Sequence, residues 1–270
     1  MFFPASSGGE FTLLGFLSAI AVGIPLYFCV TPIYNYVLSK KNRGAFGSII
    51  KIVIFAVVAV ASLFIASNSF ESFIEFASQV ILPKTSKIFL IISFLVVVIF
   101  FGFKRQEDTL KFSLISFCFT AIAIIFFFLA SIGDYETDNI IISNLPDLRE
   151  LSGEAKPYFI NPILPSLLLP FYYRLVFGEN KNSGHWGLII GLILFGLCIL
   201  SAVLLFGTEL SCRLSYPYAS AISTISIGRL YTRLDGFSYF IYFVSSITKI
   251  NICVFLCYSC MRKIKNCLSA

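Results

Sequence analysis

Seven stretches of this chain are long and nearly free of charge, each about the 20 residues that a helix needs to cross the hydrocarbon of a bilayer. They occupy 11–37, 48–66 (with the helix continuing toward 80), 87–103, 110–132, 159–177, 187–206 and 237–259. A shorter amphipathic stretch, 219–230, is too polar to span and reads as a re-entrant or surface helix. In lipid every backbone polar group must find its partner within the protein, so runs of this length predict helices. The expected fold is all-α, a multi-pass helical membrane protein with about seven transmembrane helices and one short amphipathic helix. Composition agrees, since 58% hydrophobic against 13% charged residues is more apolar surface than a soluble domain can hide.

Charge in the connections orients the spans. Lys40, Lys41 and Arg43 follow the first span, Lys104, Arg105 and Lys111 the third, and Arg174 and Lys181 the fifth; Arg262, Lys263 and Lys265 follow the last. Between them fall a weakly basic turn at Lys84 and Lys87 and a long acidic segment, 133–158, with six acids against two bases. That segment reads as an extracytoplasmic loop, and the basic tail, 263–270, as cytoplasmic. The N-terminus as given is then expected outside, and Arg213, Arg229 and Arg233 in the last outer connection weaken the bias. The opening Met1-Phe2-Phe3-Pro4 reads as the outer end of a span that precedes it, and residues 1–10 have no basic region of the kind that opens a cleavable signal.

Several function classes find no support. The net charge of +6 comes from short clusters between apolar spans rather than a patch, so a bilayer and not a nucleic acid is the expected partner. The lone His185 lies beside Trp186, which reads as an interfacial anchor. The eight cysteines lie mostly within spans, Cys212 in a loop. Cys257 and Cys260 form a C-x-x-C that on a helix merely shares a face, so both read as small packing residues. No catalytic set, phosphate loop, metal cluster or cofactor signature is evident, and an enzyme is not expected.

Two constellations could carry function. Lys249 lies 14 residues after Asp235 and 13 before Arg262 in an otherwise uncharged span. That is about 20 Å from either charged end, further than a lysine stem reaches. A charge at such depth faces a partner, a wet cavity or a ligand path. Ser245, Ser246, Thr248 and Asn251 surround it, and Glu71 (with Glu75 one turn on) is the expected counter-charge at similar depth. The second constellation is the fifth span, which opens Phe159-Ile160-Asn161-Pro162-Ile163-Leu164-Pro165-Ser166, with Pro170 four residues later. Each proline removes a backbone donor and clashes with the preceding turn. Secondary transporters use helices broken in this way to bind substrate near the midplane. Alternatively Pro162 and Pro165 only start the helix at the interface.

A resemblance joins the two. Leu214-Ser215-Tyr216-Pro217, then Ile225-Ser226-Ile227-Gly228-Arg229-Leu230, then Arg233-Leu234-Asp235-Gly236-Phe237 resemble in order and spacing a stretch of the spore germination permeases (GerAB type), the membrane subunits of nutrient germinant receptors. The lysine of Ile247-Thr248-Lys249-Ile250 is similar to one in that family. So are Phe73-Ile74-Glu75-Phe76, Leu82-Pro83-Lys84-Thr85 and the opening Gly8-Gly9-Glu10-Phe11. The resemblance covers nearly the whole chain and implies part of a five-plus-five inverted-repeat fold like that of the amino acid–polyamine–cation transporters. It makes 1–270 a single membrane domain, in which 1–132 resembles helices two to five and 159–262 helices six to eight. Helices one, nine and ten would lie outside the chain. One departure stands out: Pro170-Phe171 is followed by Tyr172-Tyr173-Arg174, where the family tends to have an acid.

What the resemblance implies is a germinant-receptor subunit in the inner membrane of a spore-forming bacterium. It would sense a small nutrient such as an amino acid and work with other receptor subunits. Lys249, Thr248 and Ser245 on the last span, Asn161 and Ser166 at the break, and Glu71 as counter-charge would hold the ligand. The alternatives are a solute transporter of the same superfamily, or a truncated permease fragment without function.

Overall fold

A computed structural model describes residues 12–38, 45–102, 106–136, 147–177, 183–224 and 235–268. Every regular element among the described residues is helical. They are α1 (Thr12–Leu38), α2 (Ala45–Phe76), α3 (Lys87–Gly102), α4 (Gln106–Ala130), α5 (Leu148–Tyr158), α6 (Leu164–Phe177), α7 (Ser183–Arg213), α8 (Pro217–Thr224) and α9 (Asp235–Leu268). Two wide π-helical turns, Ala77–Ile81 and Phe159–Ile163, and one 3-10 turn, Ile132–Asp134, complete the set.

Five segments among the described residues are long and apolar enough to cross a membrane: Thr12–Tyr34, Ser48–Ile81, Lys111–Ala130, His185–Thr208 and Gly236–Cys267. Large apolar side chains such as Val60, Ile88 and Ile122 stand outward with about 70% of their surface bare. Water would penalise such faces and lipid does not, so the chain is a multi-pass helical membrane protein in contact with a bilayer. The third expected span corresponds to α3, which has 16 residues. The fifth corresponds to α6, which has 14 and is extended by the turn that precedes it.

The core is built on a seam between α2 and α9. Phe76 packs on Tyr239 and Tyr242, and Phe73 on Tyr242 and Phe243, so the two helices run antiparallel. Phe94 of α3 stacks on Phe73 with ring centroids 4.1 Å apart. Phe76, Ile247 and Leu256 are almost wholly buried along this seam. On the other side α1 packs closely against the α5–α6 segment. Gly15 and Gly23 permit this approach, since a Cβ at Gly15 would stand 2.9 Å from Cβ of Glu154 and one at Gly23 would stand 2.6 Å from Ile163.

Helix ends follow local chemistry. The residue before a proline is pushed out of the helical region. Accordingly Leu82, before Pro83, has φ −134° and ψ 63°, and its N–H bonds Ala77 five residues back at 2.8 Å to close the first π turn. The segment 133–158 is not loop throughout. Its last 11 residues are α5, opened by a capping box in which the Asp147 N–H donates to the Glu150 carboxylate at 3.4 Å. Nor does α7 run straight. Gly207 adopts φ 74° and ψ 168°, a conformation open in practice only to glycine, and breaks the helix. The Leu204 carbonyl near this break accepts a bond from the Glu136 N–H at 3.2 Å. Cys212 accordingly lies in the last turn of α7 rather than in a loop. Finally, α8 is not a surface helix. Tyr218, Ala219, Ala221 and Ile222 are buried, and the helix packs on α7 and α9. Residues 225–230 of the expected amphipathic stretch lie outside the described residues.

A candidate ligand cavity around Lys249

The proline-rich stretch does not leave the helix. Pro162 cannot donate to the Tyr158 carbonyl, nor Pro165 to that of Asn161, and each ring crowds the turn before it. The chain relieves the crowding by widening Phe159–Ile163 into a π turn, in which the Leu164 N–H bonds Phe159 five residues back. Helix α6 then resumes with Pro165 in its first turn, and Ser166 Oγ donates to the Ile163 carbonyl at 2.6 Å. The expected break is thus a widening, and the segment 148–177 remains helical from end to end.

The widened turn carries Asn161 to a cavity of about 340 Å³ walled by α2, α4, the π turn with α6, α7 and α9. That is at the lower end of the range for small-molecule sites. From α9 come Ser245, Ser246, Thr248 and Lys249; from α4 Ser113, Ser116 and Thr120; from α2 Ser69 and Ser72. Asn161, Pro162, Pro165 and Ser166 form a third side, and Gly187 and Gly191 of α7 thin the wall at the fourth. Five of the six expected ligand residues are therefore gathered at one place, although Asn161 and Lys249 are 88 positions apart in the chain.

The cavity walls are tied by polar contacts. Thr248 Oγ1 and Ser116 Oγ lie 3.1 Å apart and Thr120 and Ser245 hydroxyls 3.4 Å, both between α4 and α9. Asn68 Nδ2 of α2 donates to Asn161 Oδ1 at 3.0 Å, so one amide bond holds the widened turn against α2. Such bonds within a membrane are worth about 0.6 kcal/mol on average. They fix register more than they supply stability.

Glu71, Glu75 and Pro170 are placed elsewhere. Glu71 is exposed and outside the cavity, and no ion pair joins it to Lys249. Its depth agrees with expectation, because the antiparallel seam sets Phe73 beside Tyr242 and Phe243 and so brings Glu71 within about two turns of the level of Lys249. Its direction does not. Ser69 and Ser72, three apart, share the face toward the cavity, and a helix advances about 100° per residue, which turns Glu71 away. Glu75, the second acid, is half-buried and also lies outside the cavity. Pro170 is buried within α6 and does not line the cavity, so it bends or stiffens that helix without touching a ligand.

Lys249 is half-buried and lines the cavity, and it makes no hydrogen bond or ion pair among the described residues. No carboxylate is among the described residues that line the cavity. Reading the sequence alone missed Ser69, Ser72, Ser113, Ser116 and Thr120 as site residues. Their spacing of three or four was a usable signal, since it puts each set on one helix face.

Other polar groups stand apart from this cavity. His185 stacks on Phe28 with centroids 5.8 Å apart and meets Tyr27 edge-on at 5.4 Å, while Trp186 is 68% exposed, as an interfacial anchor would be. Cys257 and Cys260 are buried as free thiols in α9. The chain matches none of the known family models, curated proteins or solved structures.

Proposed function

We propose that this chain is the membrane subunit of a spore nutrient-germinant receptor, in which a small solute carrying an anionic group binds the Lys249 cavity. The observation that carries the ligand-binding part is the cavity itself. A single cation with no ion-pair partner among the described residues, a set of hydroxyls and a proline-widened turn converge on one partly open cavity within a membrane protein. The receptor part rests on the order of motifs from Tyr216 to Ile250 and on the lysine within them. The inverted-repeat transporter fold belongs to the same reading. So does the orientation, with the exposed Arg262, Lys263 and Lys265 at the end of α9 facing the cytoplasm.

Signalling needs only that the ligand favours one of two conformations. A solute that binds both equally shifts nothing, however tightly it binds. The widened turn at Asn161 is suited to differ between two states, because a π turn can revert to α-helical spacing with a small change of register. Partner subunits would read that change. Lys249→Ala is expected to abolish the nutrient response of spores while the protein remains in the membrane at its normal level. A normal response with that variant removes Lys249 from the site. Uptake of labelled amino acid by vesicles holding the protein would assign it to the transporters instead.

A further inference from the structure

We infer that the cavity takes a small hydroxy-carboxylate, a monoanion with no cationic centre, in preference to a zwitterionic amino acid. The inference rests on the cavity being the ligand site and narrows what the site accepts.

Among the described residues the cavity has one formal charge, the Lys249 ammonium, and no carboxylate in its lining. A monoanion neutralises it. A zwitterion also brings a carboxylate, but its ammonium finds no anion among the described lining residues and has the Lys249 cation in the same cavity. Asn161 strengthens the anion side. Its Oδ1 accepts from Asn68, and its amide nitrogen, which has no partner among the described residues, is a donor on a residue that lines the same cavity as Lys249.

The hydroxyls decide the rest. Ser69, Ser72, Ser113, Thr120 and Ser166 each donate to a carbonyl of their own helix, at 2.6 to 2.7 Å. A carbonyl can only accept, so the single proton of each hydroxyl is committed and its lone pairs remain. This wall accepts hydrogen bonds from a ligand. A neutral ligand hydroxyl satisfies it without adding charge, and a plain alkyl acid leaves it unmatched. Carboxylate toward Lys249 and Asn161, hydroxyl toward the serine and threonine wall, is the arrangement of a 2-hydroxy acid.

The test is thermal unfolding of the purified full chain in lipid nanodiscs with L-lactate, propionate or L-alanine, at ionic strength matched with sodium chloride. Lactate should protect at about tenfold lower concentration than alanine, a step of one decade in affinity. Propionate should fall between. Lys249→Gln should remove the lactate effect. Should that variant not fold, Thr120→Val, which keeps shape and loses the acceptor, should bring lactate down to the level of propionate. Alanine protecting as well as lactate or better overturns the inference and leaves the proposed function standing. Protection by none of the three, with the protein folded, overturns both. Lactate protection unchanged in both variants overturns the placement of the ligand.

Discussion

Replacing Lys249 by methionine gives a result whose sign is informative. The ammonium is about 20 Å from either charged end of its span, is half-buried, and has no carboxylate partner among the described residues. Insertion scales put a lysine at the centre of a membrane helix at about 2.5–3.5 kcal/mol, whereas an unbranched apolar chain of similar length costs little. The hydroxyls and any water in the cavity return part of that. If they return half, Lys249→Met should stabilise the folded protein by about 1–2 kcal/mol, a factor of roughly 5–30 in the folding equilibrium. The opposite arrangement has the opposite sign. Breaking a buried ion pair by removing one partner costs about 3–5 kcal/mol, because the other charge is left bare. Reversible unfolding by a denaturing detergent in mixed micelles, followed by far-ultraviolet circular dichroism, separates the two. A variant less stable than the parent by more than about 1 kcal/mol would falsify the unpaired lysine and demand a hidden counter-charge. A stabilised variant that has also lost its nutrient response would mark a residue kept for binding at the expense of stability.

Other perturbations read the frame around the site. Glu71→Gln should leave the nutrient response within about twofold of normal, the range of a substitution that touches no buried partner; a loss equal to that of Lys249→Ala would return Glu71 to the site. Gly207→Ala must hold a side chain at φ 74° and ψ 168°, a strain of about 1–3 kcal/mol. It should also speed hydrogen exchange at the Glu136 amide, whose bond to Leu204 depends on the kink; unaltered stability and exchange would show that the break at Gly207 is dispensable. Gly15→Ala would bring a Cβ within 3.0 Å of the Glu154 backbone, so α5 must move and stability should fall by about 1–3 kcal/mol. A neutral result in the same detergent titration would mean that α1 and α5 are less closely packed than this.

Five of the seven expected spans were legible as helices of membrane length, because lipid imposes one rule on every backbone group. The helix continuing from α2 toward residue 80 was readable in the same way, and it ends where Pro83 denies it a donor. Lys249 was legible as an energetic anomaly, and Asn161 as a polar residue beside two prolines. What local pattern could not supply was direction around a helix axis. Glu71 has a suitable depth and the wrong face, and one residue along a helix is enough to make that difference. Serine and threonine were ambiguous for a different reason. They pack helices together and line cavities with the same hydroxyl, and only the positions of α2, α4 and α9 separate the two uses. The kink at Gly207 and the cap at Asp147 were written in the sequence, but glycine in an apolar run and acids in an acidic loop have many blander meanings.

The walls of the cavity differ in how firmly they are held, and this bears on how a ligand could act. On one side α2, α3 and α9 share a seam of stacked aromatics, and α4 is tied to α9 by two hydroxyl contacts. On the other side the proline-widened turn has given up part of its own backbone bonding and is joined to α2 by the Asn68–Asn161 amide bond. A ligand that bridges Lys249 and Asn161 would connect the firm wall to the adaptable one. Its binding energy would then fall on the element with least to lose by moving, and α1, which meets that turn through Gly23, would be the first helix to register the change. In the proposed receptor the lysine would supply affinity and the widened turn the response. Neither alone distinguishes a sensor from an inert pocket.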